Sequence, residues 1–173
     1  GIDFGGTATL APGSSINGAG SLFTSLGANL IANGTYALTG NITGSAGTAR
    51  FTAANTMTVA NISTTSGTLI FDSPVNATTV ALTGGTVTFN GTSSTAGLSI
   101  NGGTLSGNGG LTLTGPGTWA SGTLAASVRV APGQTFTWNS TGSKLLSTAT
   151  LVNDGTITLQ GNVVDLTGDA TLT

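Results

Sequence analysis

The chain contains no cysteine, no histidine and no glutamate. The absence of cysteine removes disulfides as a source of stability. Without histidine or glutamate, and with only three cationic side chains, a site for acid–base catalysis is hard to assemble. Charge is scarce altogether: 5% of residues are charged, against roughly 25% in an average soluble domain. The acids are Asp3, Asp72, Asp154, Asp165 and Asp169, and the bases are Arg50, Arg129 and Lys144. A net charge of −2 without a basic stripe speaks against nucleic acid as a partner, which needs clustered Lys and Arg. No apolar run approaches the roughly 18 residues of a membrane helix, so no membrane span is expected. The chain starts at Gly1 without Met and shows no signal pattern, so it reads as an excised or mature piece of something longer.

What is abundant is small. The sequence holds 29 Gly and many Thr, Ser, Asn and Ala. Such a composition could mean disorder, but disordered chains lack β-branched and aliphatic residues. Here Val, Ile, Leu and Phe recur at regular intervals, enough to bury a narrow core.

The recurrence has a period. Gly-Thr pairs stand at Gly47-Thr48, Gly67-Thr68, Gly85-Thr86, Gly103-Thr104 and Gly122-Thr123, in steps of 20, 18, 18 and 19 residues. Four residues after the first three glycines come Phe51, Phe71 and Phe89. Trp119 and Trp138 are 19 apart, and each follows a Thr. Several independent markers therefore share one repeat, and a fixed period governs the reading of the whole fold.

Inside a unit the period falls to two. Thr86-Val87-Thr88-Phe89 and Thr156-Ile157-Thr158-Leu159 alternate polar and apolar, as strands with one buried face do. Turn signals such as Asn90-Gly91, Gly102-Gly103 and Pro132-Gly133 separate them. The pattern predicts an all-β fold, a parallel β-helix (β-solenoid) with rungs of 18 to 20 residues. It forms one solenoid domain over 1–173, most regular over 47–140. About nine coils, each about 4.8 Å high, would make a rod on the order of 40 Å long. Phe51, Phe71 and Phe89 would form one inward ladder and Trp119 with Trp138 another, with Gly47, Gly67, Gly85, Gly103 and Gly122 at the rung turns. The alternative is an antiparallel β-sandwich, which also has short alternating strands but does not require a shared register of Gly-Thr, Phe and Trp. Spacing drifts in 1–46 and 140–173, as in the atypical terminal units of solenoids or where loops protrude.

The runs Gly115-Pro-Gly-Thr-Trp-Ala-Ser-Gly-Thr-Leu124, Asn101-Gly-Gly-Thr-Leu-Ser-Gly-Asn-Gly109 and Leu151-Val-Asn-Asp-Gly-Thr-Ile157 resemble the "GTxxWSGGTLSGSG" repeats of very large bacterial surface proteins. These are similar to filamentous-haemagglutinin-like and autotransporter passenger regions. The resemblance covers roughly 47–160 and specifies architecture more than ancestry. It implies a right-handed helix, secretion to the bacterial cell surface, and a role in adhesion, biofilm or filaments. It carries no catalytic motif. The near absence of Lys and Glu beside abundant Thr, Ser, Asn and Gly points to the same extracellular setting.

Other chemistry is thin. No two Asp residues are spaced near one coil, as paired catalytic carboxylates on a β-helix would need to be. Asp154, Asp165 and Asp169 could gather for calcium, but Asp is favoured in turns anyway. The Thr-x-Thr pairs that a flat ice-binding array would need lack a constant spacing, and Thr is an ordinary outward strand residue. Trp119 and Trp138, if outward, would make a platform for surface glycans; inward, they are core. Sequons occur at Asn33, Asn41, Asn61, Asn76, Asn90 and Asn139. No cofactor or metal is expected, and no enzyme activity. With no charged or helical cap in view, the open ends of the coil are expected to pair with copies of the chain or with adjacent repeats.

Overall fold

The structure, a computed structural model, describes residues 1–53, 55–139, 141–161 and 164–173. Its described residues form 23 short β-strands and no helix. Every pairing between them is parallel, and strands pair with the equivalent strand one coil on. The chain is therefore a β-solenoid of about eight turns. A sandwich requires antiparallel neighbours, which are absent among the described residues.

Each coil has three faces. The first is built from Thr7–Leu10, Asn29–Ala32, Thr48–Phe51, Thr68–Phe71, Thr86–Phe89, the ends of Leu98–Ser106 and Gly117–Leu124, then Lys144–Ser147 and Val164–Thr167. The second begins with Ser15–Gly18 and Thr35–Leu38, a two-stranded ladder of their own, and continues from the start of Met57–Thr64 to Thr171–Leu172. The third runs from Ile2–Phe4 to Thr156–Leu159. It has nine strands and eight steps, each of about 4.8 Å.

Alternation decides which side chains meet. A strand sends successive side chains to opposite sides, so every second residue enters the lumen and stacks on its counterpart. One inward column of the third face reads Phe4, Thr24, Gly44, Thr64, Leu82, Ile100, Trp119, Trp138, Leu159. A column of the first face reads Leu10, Ala32, Phe51, Phe71, Phe89. Bulk alternates between them. The Phe rings fill the lumen beside Gly44 and Thr64, and the Trp rings fill it beyond Phe89. Phe51 and Phe71 stack with centroids 5.0 Å apart and planes 10° apart; Phe71 and Phe89 stack at 5.4 Å and 19°. Trp119 and Trp138 meet edge to face at 5.4 Å.

The five rung-turn glycines stack along the corner before the first face, because the threonines after them are in register. Gly85 shows why glycine is needed there. Its φ is +67°, and a Cβ would lie 2.3 Å from the carbonyl oxygen of Gly67.

The irregular spacing near the ends has a simple cause. The strands keep pairing, but the coils lengthen: Thr7 pairs with Asn29, and Gly122 pairs with Lys144. Extra residues go into the corners and the ladder survives.

The lumen holds few polar groups. Thr64, Ser93 and Thr95 satisfy their hydroxyls on nearby backbone carbonyls. The Tyr36 hydroxyl is buried with no hydrogen-bond partner among the described residues, and burial raises its pKa. Tyr36→Phe removes an unsatisfied group while keeping the ring that meets Phe51 edge-on at 5.7 Å. The expected result is a rise in stability of about 1 kcal/mol, read from the urea midpoint. A fall would mean that the hydroxyl has a bonding partner.

Candidate functional site

Function must come from what the three outer faces present. On the first face, Thr48, Thr68, Thr86, Thr104 and Thr123 form one outward column. The neighbouring column is mixed: Arg50, Ile70, Thr88, Ser106. The third face carries Asp3 and Phe23, then Thr43, Ser63, Ala81, Ser99, Thr118, Thr137 and Thr158 in one outward file, which is uncharged after Asp3.

Many of these polar groups bind the next coil. Thr43 and Ser63 are hydrogen-bonded at 3.1 Å, and Thr88 and Ser106 at 2.8 Å. Asn61 donates to Asn41 at 2.6 Å and accepts from Thr79, while Ser94 donates to Asn76 at 2.8 Å. Such cross-strand pairs are the unit of sheet stabilisation.

The charges follow the same logic. Arg50 reaches one coil on to Asp72, with Nε 2.5 Å from a carboxylate oxygen. Thr52 and Asn90 also donate to Asp72, so three successive coils are clasped at one corner. Arg129 pairs with Asp154 in the same manner on the second face. Burial alone would raise the Asp72 pKa, but hydrogen bonds from Arg50, Asn90 and Thr52 and the Arg50 charge outweigh it, leaving it below the usual value. A carboxyl with a depressed folded pKa contributes stability above its unfolded pKa, and loses it as pH falls through the folded one. Acidification below about pH 4 should therefore destabilise the chain, and Asp72→Asn should flatten that dependence. Arg50 is exposed, so the effect is below about 1 kcal/mol. Urea midpoints at neutral and acid pH check this; an unchanged acid slope in the variant would count against it.

Lys144 was the least foreseeable residue. It occupies the column of the rung-turn glycines, opposite Gly122, and is buried. Its ammonium donates to the carbonyls of Thr141 at 2.9 Å and Gly142 at 3.4 Å. It makes no ion pair among the described residues, and burial lowers its pKa.

The sequence-predicted residues fall as follows. Phe51, Phe71, Phe89 and Trp119 lie inside the coil, and Trp138 is 6% exposed, so neither Trp offers a surface for sugar stacking. The Thr-x-Thr pairs are spread over the faces. Only Thr135/Thr137 and Thr156/Thr158 stand on successive coils of one face. Asp154 is engaged by Arg129, Asp165 lies on the first face, and Asp169 lies in the turn after it. No group of three or more potential metal ligands gathers among the described residues. Of the sequons, Asn76 is exposed, whereas the Asn61 and Asn90 amides donate to neighbouring coils. Ser140, inside the sequon at Asn139, lies outside the described residues.

The shallow groove on the third face, at Gly97, is lined by Thr79, Ala81, Ser99 and Pro116 and has no titratable group. Sequence reasoning missed both ion pairs, because it sought Asp–Asp spacings of one coil. The signal was an Arg about one coil before an Asp, at 50/72 and 129/154. No helix among the described residues is long and apolar enough to cross a membrane.

The class defined by this geometry is a β-solenoid with parallel rungs. No family model, no curated protein and no solved structure matches the chain.

Proposed function

We propose that the chain is a non-catalytic structural stretch of a secreted bacterial surface protein, a stiff spacer or adhesive rod outside the cell. The observation that carries this reading is the engagement of Asp72 and Asp154. Each is held by an arginine of a preceding coil, so these carboxylates serve to lock one coil on another. The hydrogen-bonded hydroxyl and amide pairs on the flanks serve the same end. The Gly-Thr-Trp and Gly-Thr-Leu runs resemble surface-protein repeats and support the extracellular setting.

Antibodies raised against the folded chain provide the test. They should label intact, unpermeabilised cells of the producing bacterium, or filaments projecting from them. Labelling only after permeabilisation would overturn the proposal.

A further inference from the structure

We propose that a notch on the second face of the solenoid binds a neutral sugar ring, one unit of a glycan. The proposal goes beyond the rod reading above and does not depend on it. It starts from a gap in the outward side chains.

Ser94, Thr112, Arg129 and Val152 are register partners and form one outward file, next to the buried Ser93, Leu111, Val128 and Leu151. Side chains two residues apart point the same way, so Thr92, Gly110 and Ser127 form a second file at the adjoining corner. Glycine breaks that file between Thr92 and Ser127. Gly110 has φ +77°, and apart from its chain neighbours only the Ser127 carbonyl oxygen, at 3.9 Å, lies within 4 Å of its Cβ position. The result is a notch of about 160 Å³ walled by Thr92, Thr112, Ser127, Arg129 and Val152. Coils continue on both sides of it, through Val75–Leu82 and Thr171–Leu172. Its exposure therefore owes nothing to where the sequence starts or stops.

The polar groups of the notch are unengaged. Elsewhere on the flanks hydroxyls bond from coil to coil, as Thr88 does with Ser106 and Ser94 with Asn76. The hydroxyls of Thr92, Thr112 and Ser127 make no hydrogen bond among the described residues. Arg129 gives its Nε to Asp154, and its terminal nitrogens have no partner among the described residues. Three hydroxyls, which donate and accept, and one guanidinium edge, which donates, thus converge on a single gap. The half-buried Val152 adds an apolar wall.

Size and charge select the ligand. The notch is smaller than the roughly 300–1,000 Å³ of sites for drug-sized molecules, so it takes one ring and not a peptide or a folded partner. An anion gains little there, because Asp154 already neutralises Arg129. A neutral sugar matches both kinds of wall. Its hydroxyls pair with the three hydroxyls and the guanidinium, and its C–H edge lies against Val152.

The test is a titration of the chain, followed by amide NMR shifts, with the methyl glycosides of glucose, galactose, mannose and N-acetylglucosamine at millimolar concentration. At least one should move the amides of Gly110, Thr112, Ser127 and Arg129 and leave those of the first and third faces in place. Thr112→Val and Ser127→Ala should each weaken that binding by about 2–10-fold, the value of one hydrogen bond. Both side chains point outward, and unchanged shifts away from the notch show that the coil is intact. Methyl glucuronide should bind no more tightly than methyl glucoside. No localised shift with any of the four glycosides, unchanged affinity in the double variant, or tighter binding of the glucuronide would each overturn the proposal. Binding is read on the isolated chain and the rod reading on cells, so the two fail separately.

Discussion

Phe71→Ala should destabilise the chain by about 3–5 kcal/mol, the range for emptying a buried aromatic site. Phe71 is stacked on both sides, against Phe51 and Phe89, and is fully buried. Alanine would remove both ring contacts and leave a gap in the middle of the lumen. A solenoid makes the consequence specific. Each coil touches only its neighbours, so stability is close to a sum of coil and interface terms. Breaking a central interface should weaken the coupling between the two halves, so urea unfolding should become broader or biphasic. Phe89→Ala should cost less, because Phe89 stacks on one ring only. Equal losses for the two variants would argue against a ladder.

Gly85→Val should cost about 2–5 kcal/mol, from two sources. A left-handed backbone conformation costs a side chain roughly 1–2 kcal/mol, and forced overlap typically adds about 1–3. The Gly85 Cβ would lie 2.3 Å from the Gly67 carbonyl oxygen and 2.6 Å from the Thr64 hydroxyl. Gly13 is the matched control. Its φ is +88°, but nothing lies within 4 Å of its Cβ position. Gly13→Val should therefore carry the conformational part alone, about 1–2 kcal/mol. Thermal melts of the two variants separate stacking from backbone strain.

These residues show how much was legible. Phe71 and Gly85 sit in the regular stretch, where the Gly-Thr-x-x-Phe spacing marks the corner, the strand and the buried position at once. The facing of Trp119 was obscured by Pro116, which interrupts the alternation counted from Leu113. The structure resolves it through Gly117, whose missing side chain makes room for the Phe136 ring: a Cβ there would lie 2.9 Å from it. Lys144 was illegible for a different reason. Composition treats a lysine as surface, whereas the lengthened coil sets it in a column of glycines and turns its ammonium onto carbonyls of the corner. The charge clasps needed knowledge of which coils are adjacent, and the period supplies that only once the longer coils are placed. What the flanks contact was never in the pattern, since hydroxyl and amide side chains serve coil-to-coil bonding and binding equally well.

The coil itself is tested most directly by distances between spin labels along one outward file. Thr7, Thr86, Thr104 and Thr123 belong to the same column of the first face. Cysteines introduced in pairs, Thr7→Cys with each of the other three positions, can be labelled without interference and measured by pulsed electron resonance. Four, five and six coils separate the pairs, so the backbone separations should rise evenly through about 19, 24 and 29 Å. Separations that fail to grow in equal steps, or that fall as the sequence distance increases, would contradict a parallel coil.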